Sequence, residues 1–224
     1  MRRLTRNHLR VLRRHETRLA DRPGASQSQV RVGHLGSQRK TPDYAAARLL
    51  EMVLGGSFTS RLNQNLREKH GYVYHAYAKF DLGSAAGLFR TRYGVRTDVT
   101  APAIQETVAE LTGMCAPMSA EELDKGRSLV RQAVAEAFSS SEETTFYLAD
   151  IVDHGLPLDS WTKLPSALAT LDVRSLAAAA QRLLWPAKLS IVVVGDRKLI
   201  EPSLRKLPFV PAIEVRDANG RLVE

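Results

Sequence analysis

Leu54-Gly55-Gly56-Ser57-Phe58-Thr59-Ser60-Arg61-Leu62-Asn63-Gln64-Asn65-Leu66-Arg67-Glu68-Lys69-His70-Gly71-Tyr72-Val73-Tyr74 is denser in special residues than a plain helix, turn and strand would require. The paired glycines break one helix. A polar helix from about Ser57 to Lys69 follows. Gly71 stands where a left-handed C-terminal cap belongs. A tyrosine-rich strand then begins. Arg67 lies in the last helical turn and Tyr74 seven residues on, so the Gly71 turn can fold the two toward each other. A guanidinium fork and a phenol side by side can both donate hydrogen bonds to a peptide carbonyl or to the oxyanion it becomes. Spacing alone favours a plainer reading. Arg67 is a cation favoured at a helix C-terminus, and Tyr74 is a sheet residue.

Outward from this stretch, the pattern stays mixed. On the N-terminal side, Gln29 to His34 alternates like a strand, with Val30 and Val32 on one face. Thr41-Pro42-Asp43 starts a helix through Tyr44, Leu49, Leu50 and Val53. On the C-terminal side, Tyr72, Tyr74, Ala76, Ala78 and Phe80 read as one face of a strand. Phe89, Thr91, Tyr93 and Val95 read as one face of the next, and Asp81 to Ser84 joins them as a hairpin. The remainder is mostly helical. Ser119 with Glu122 and Ser140 with Glu143 are capping-box pairs, Asp172 caps a later helix, and Gly155 and Pro186 are stops. Leu189 to Val194 is an apolar strand expected at the centre of a sheet. Strand, two helices, hairpin, helix run and strand predict an α+β fold with a mostly antiparallel sheet covered by helices.

The two ends differ from the body. The chain has 224 residues, a net charge of +8, 44% hydrophobic residues and one cysteine. Residues 1–22 hold eight Arg against Glu16 and Asp21, so most of the positive charge belongs to this leader. Leu4, Val11, Leu12 and Leu19 share one side of a helical wheel. Three readings are open for it: a connector helix docked on the body, a poorly ordered tail or start-site artefact, or a nucleic-acid arm or presequence. The absence of an aromatic for base stacking and of Ser speaks against the last. The expected organisation is a leader or connector over 1–22, one domain over 23–207 and a tail over 208–224. Cys115 reads as a small apolar filler, and one cysteine permits no internal disulfide. No apolar run approaches the roughly 20 residues of a membrane span, and no signal-peptide core follows Met1. The chain as given is therefore expected in the cytoplasm.

The sequence holds no self-contained active site. Zinc peptidases place two His one helical turn apart with a Glu beside them. Of His8, His15, His34, His70, His75 and His154, none is followed three places on by Glu, and His15-Glu16 has Leu19 where the second His would stand. His70 and His75 flank a turn but lack a third ligand. Ser-x-x-Lys occurs three times without companion motifs, and there is no phosphate loop.

Gly55-Gly56, Ser60-Arg61-Leu62, Leu66-Arg67-Glu68-Lys69, Gly71 and Tyr74 together resemble the second-domain signature of the insulinase/pitrilysin-type zinc peptidases, which include mitochondrial processing peptidases and bacterial relatives. Pro23 to Ser28 and Val192-Val193-Val194-Gly195-Asp196 resemble the family's entry and closing strand, so the likeness runs from about residue 20 to 206. It implies a non-catalytic, substrate-binding half. Arg67 and Tyr74 would bind the peptide, and this chain would hold no metal. Zinc would sit in a homologous catalytic partner, domain or subunit. Alone, the chain would not cut peptides, and its unpartnered face is expected to favour self-association. The alternatives are a structural scaffold of the same fold without a role in proteolysis, and a nucleic-acid binder acting through the leader.

Overall fold

In the computed structural model, residues 15–223 are described. One mixed six-stranded sheet forms the body: β1 (Glu16–Asp21), β2 (Gln27–Gly36), β3 (Tyr77–Asp81), β4 (Gly87–Arg96), β5 (Ser190–Gly195) and β6 (Ile213–Arg216). Their order is β3-β4-β2-β5-β1-β6. The hairpin β3–β4 and the pairs β4–β2 and β2–β5 are antiparallel. The expectation of a mostly antiparallel sheet holds for these three pairings, while β1 adds a parallel part by pairing with both β5 and β6.

That parallel half comes from segments assigned above to leader and tail. Residues 1–14, which carry Leu4, Val11 and Leu12, lie outside the described residues. Glu16–Asp21 is a strand and not the end of a connector helix. Thr17 and Leu19 point into the core while Arg18 and Ala20 point away, so over these residues the two-residue period prevails over the helical one. Leu19 is wholly buried. β6 repeats the device with Ile213 and Val215 inward. β5 is interior, as expected, with Ile191 and Val193 fully buried on one face and Val192 and Val194 half-buried on the other.

One face of the sheet is sealed by helices. These are α1 (Tyr44–Glu51), α2 (Thr100–Gly113), α3 (Ala120–Glu136), α4 (Ser141–His154), α5 (Leu164–Ala169), α6 (Val173–Leu183) and α7 (Arg197–Leu204). α2 lies on β2 and β4, α7 on β1 and α1 beside β3, while α3, α5 and α6 pack on α1. Val30, Val32, Phe89, Val95, Ile191 and Val193 fill this layer. The predicted caps hold: Ser119, Ser140 and Asp172 each accept the backbone N–H three residues on. Gly155 closes α4 in the left-handed conformation at φ 56°. The opposite face carries Arg18, Arg31, Arg90 and Arg92 among half-buried or exposed neighbours, with no helix of the described residues in its place.

Candidate functional site

The signature stretch wraps the outer end of the sheet beside β3. α1 continues as a π-wound turn over Met52–Gly56, and a second π-wound turn spans Asn63–Lys69. Gly55 is required by closeness: a Cβ there would meet the backbone nitrogen of Ala78 at 2.4 Å. The helix expected from Ser57 begins only at Arg61, after a turn over Ser57–Ser60. Its end follows the expectation at Gly71, φ 63°. Tyr72 N–H donates to Leu66 O at 2.8 Å and Gly71 N–H to Arg67 O at 2.9 Å. Each bond reaches one residue further than in a Schellman end, because the turn above it is π-wound.

Beyond Gly71 the chain departs from the expected long strand. Val73 makes one bridge to Val95, the chain bows outward at Tyr74–His75, and regular pairing starts at Tyr77. Tyr74 therefore does not share a face with Ala76. Ala76 is fully buried and Tyr74 is 84% exposed. The cause is Asn63, wholly buried at the start of the second π turn. Its Oδ1 accepts the Ala76 N–H at 2.9 Å, and its Nδ2 donates to Ala76 O, Ser57 O and Ser60 Oγ, each at 3.0 Å. One side chain thus takes the place of a ladder partner for Ala76 and ties the turn carrying Phe58 to the bow carrying Tyr74. Sequence reasoning missed Asn63, since an Asn on a polar helix reads as solvent-facing. Its only signal was its place inside the dense stretch.

The bow brings Arg67 and Tyr74 together. The Arg67 guanidinium carbon lies 5.9 Å from the centre of the Tyr74 ring and 4.0 Å from that of Phe58, which is 53% exposed. Nη1 contacts Glu68 at 3.0 Å, and among the described residues no other carboxylate engages this guanidinium. His75 packs between Phe58 and Tyr77, with ring centres 5.4 and 4.0 Å away. Burial first, then the positive charges of Arg67 and Arg92, hold its imidazole below the usual histidine range, so it is neutral at pH 7. The other arginine of the signature has a different task. Arg61 clamps Glu122 in a two-pronged pair at 2.6 and 2.7 Å, fastening the first turn of α3. A cleft of about 310 Å³ lies between that turn and Ser57–Arg61, and neither Arg67 nor Tyr74 lines it.

Each histidine among the described residues has another engagement, and His8 lies outside them. Among the described residues no three of His, Cys, Asp and Glu gather as ligands. Both ring nitrogens of His34 are committed, Nδ1 to Leu35 O and Nε2 to the Trp185 N–H. His15 Nδ1 faces the Leu189 N–H, and His154 is held by Asp150. His70 stacks on Tyr72 and His75 meets Tyr77 edge-on, so the two flanking histidines are spent on separate aromatic contacts. Cys115 is half-buried, its thiol pushed up by desolvation, as suits a packing residue.

Comparisons with known proteins identify the family and the fold. The family model described as the peptidase M16 inactive domain matches residues 6–130. No curated protein matches the chain. Among solved structures, the peptidase M16 inactive domain from Pseudomonas fluorescens is 25% identical, with a TM-score of 0.72 over 81% of this chain and 44% of its own. A protease from Helicobacter pylori is 21% identical, with a TM-score of 0.74 over 83% of this chain and 45% of its own. A chain of complex III from Candida albicans shares the fold at 14% identity and a TM-score of 0.72, over 85% of this chain and 49% of its own. The chain thus spans under half the length of these structures. No helix among the described residues is long and apolar enough to cross a membrane. A family match over more than half of the residues, on the stretch that builds the Arg67–Tyr74 corner, makes this chain a member of the peptidase M16 family, in its inactive domain.

Proposed function

We propose that this chain is the substrate-binding, non-catalytic half of a zinc metalloendopeptidase. Arg67 and Tyr74 contact the peptide, and a homologous partner half carries the zinc and the general base. The observation that carries the reading is the bow at Tyr74–His75. A buried asparagine interrupts the sheet ladder, and the result is an almost fully exposed phenol beside a guanidinium that is only partly neutralised. A peptide carbonyl or a developing oxyanion would accept from both groups. A scaffold subunit of the same fold would not need the pair.

The test is reconstitution with a zinc-carrying half and an internally quenched peptide. Arg67→Ala and Tyr74→Phe should each lower turnover by about 10²–10³, the usual loss when one oxyanion donor is removed, while far-UV circular dichroism stays unchanged. The isolated chain should retain no stoichiometric zinc and hydrolyse no peptide. Unchanged turnover in both variants would favour the scaffold, and chelator-sensitive hydrolysis by the isolated chain would overturn the division of labour.

A further inference from the structure

On the open face of the sheet, Tyr77, Arg92, Arg31, Val192, Arg18 and Glu214 are successive Cα partners across all six strands. The row begins where the Arg67–Tyr74 corner ends. Tyr77 touches His75, and the Arg92 guanidinium lies 4.6 Å from the centre of the Tyr77 ring. At its middle stand two arginines directly opposite each other on antiparallel strands, an arrangement that like charges disfavour.

Among the described residues, every acid on this face is already engaged. Glu16 and Glu214 pair with Arg18, Glu214 also with Arg216, and Asp81 with Arg90 and Lys79. Arg31 donates to the carbonyl of Val30, and among the described residues neither it nor Arg92 meets a carboxylate. Residues 1–14 contain no Asp or Glu, so that part of the sequence has no side-chain carboxylate to offer. Among the described residues, the positive field on this face is therefore concentrated at one pair flanked by neutralised neighbours. That suits a single anionic group and not a polyanion, whose phosphates would want a track of free cations.

We propose that the peptide site of Arg67 and Tyr74 continues along this row, and that Arg31 and Arg92 together bind one carboxylate of the peptide. The inference rests on the peptide-binding reading above. It makes the preferred substrates acidic, with the carboxylate supplied by an Asp or Glu side chain or by the chain end.

The experiment uses the full chain and fluorescein-labelled dodecapeptides of Gly, Ser and Phe, carrying either two Glu or two Gln, each with a free or an amidated C-terminus. Anisotropy should show the Glu peptide binding about tenfold more tightly than the Gln peptide, as expected for charge-assisted bonds. Arg31→Gln and Arg92→Gln should erase that ratio while leaving the Gln peptide's affinity, and Arg67→Ala should weaken all the peptides alike. A preference that follows the free C-terminus instead of Glu assigns the carboxylate to the chain end and still supports the pair. Equal binding of the Glu and Gln peptides with no effect of amidation, or a preference that survives in both Gln variants, overturns this inference and leaves the Arg67–Tyr74 reading standing. If none of the peptides binds, both fall. If a thymidine oligonucleotide binds more tightly than the Glu peptide through the same two arginines, the face is a phosphate site and the inference is wrong.

Discussion

Arg39 and Arg67 both lie against aromatic rings, and the protein uses them in opposite ways. Arg39 is buried, its guanidinium carbon 3.5 Å from the centre of the Tyr44 ring and 5.5 Å from that of Trp161. Its Nε and Nη2 grip Asp150 at 2.9–3.2 Å. Asp150 also meets His154 Nδ1 at 3.2 Å. The cage joins the segment after β2 to α4, 111 residues away, and is closed. Arg67 has similar aromatic company, but its contacts are local, its one acid is the adjacent Glu68, and its rings stand in solvent. Aromatic packing alone therefore does not separate a structural arginine from a binding one. Neutralisation and closure do.

The sharpest way to break the comparison is to truncate the closed member. Arg39→Ala leaves Asp150 half-buried without its bidentate partner, and breaking such a pair from one side costs about 3–5 kcal/mol. Urea denaturation should show a midpoint lowered accordingly, with α4 the first helix to lose amide protection. Arg67→Ala, by contrast, should move the midpoint little. A loss under 1 kcal/mol in Arg39→Ala would mean that the cage is not the fastener described.

A smaller effect is expected from the residue that opens the second corner. Asn63→Ala leaves the buried Ala76 N–H without a partner, and a buried donor left unpaired costs about 1–3 kcal/mol. Hydrogen exchange should accelerate at Ala76 and its neighbours while α4 is unaffected. Asn63→Asp keeps the acceptor for that N–H but turns a carboxylate toward Ala76 O and Ser57 O, so it should not rescue. If Asn63→Asp behaves like the parent, the amide is not what shapes the bow.

Much of this contrast was legible in the sequence, and the limit was set by distance along the chain. Gly71, the caps at Ser119, Ser140 and Asp172, and the β3–β4 hairpin are local devices whose residues sit within a few places of one another, and they appear as predicted. The approach of Tyr74 to Arg67 also follows from the Gly71 turn. What escaped was non-local or hidden by type. Glu16–Asp21 pairs with a strand more than 170 residues away, and its Arg-rich context fits a helical stripe better than two inward side chains fit a strand. The outward bow of Tyr74 depends on an amide thirteen residues back from Ala76, competing with a sheet ladder. π winding has no distinct apolar period over one turn, so the extra residue at Asn63–Lys69 left no trace.

The smallest effect is silent at neutral pH and tests how closed the Arg39 cage is. Burial pushes the Tyr44 phenol from its ordinary value of 10 up to about 12, the charges of Arg48 and Arg39 pulling back against it. An acid whose folded pKa is raised binds its proton in the native state where the unfolded chain has lost it. Stability from this source is complete below pH 10 and falls as pH rises from 10 through about 12. Tyr93, raised by burial in the same direction, adds to the slope. Tyr44→Phe should therefore flatten the decline of stability across this window without abolishing it, and should remove the component of the tyrosinate absorbance titration that appears near pH 12, leaving the still later one of Tyr93. Arg39→Ala should push that component later still, because the cation that favours the phenolate is gone. An unchanged alkaline slope in Tyr44→Phe would show that the ring of Tyr44 is open to water in solution, and the distinction between the closed arginine and the open one would lose its physical basis.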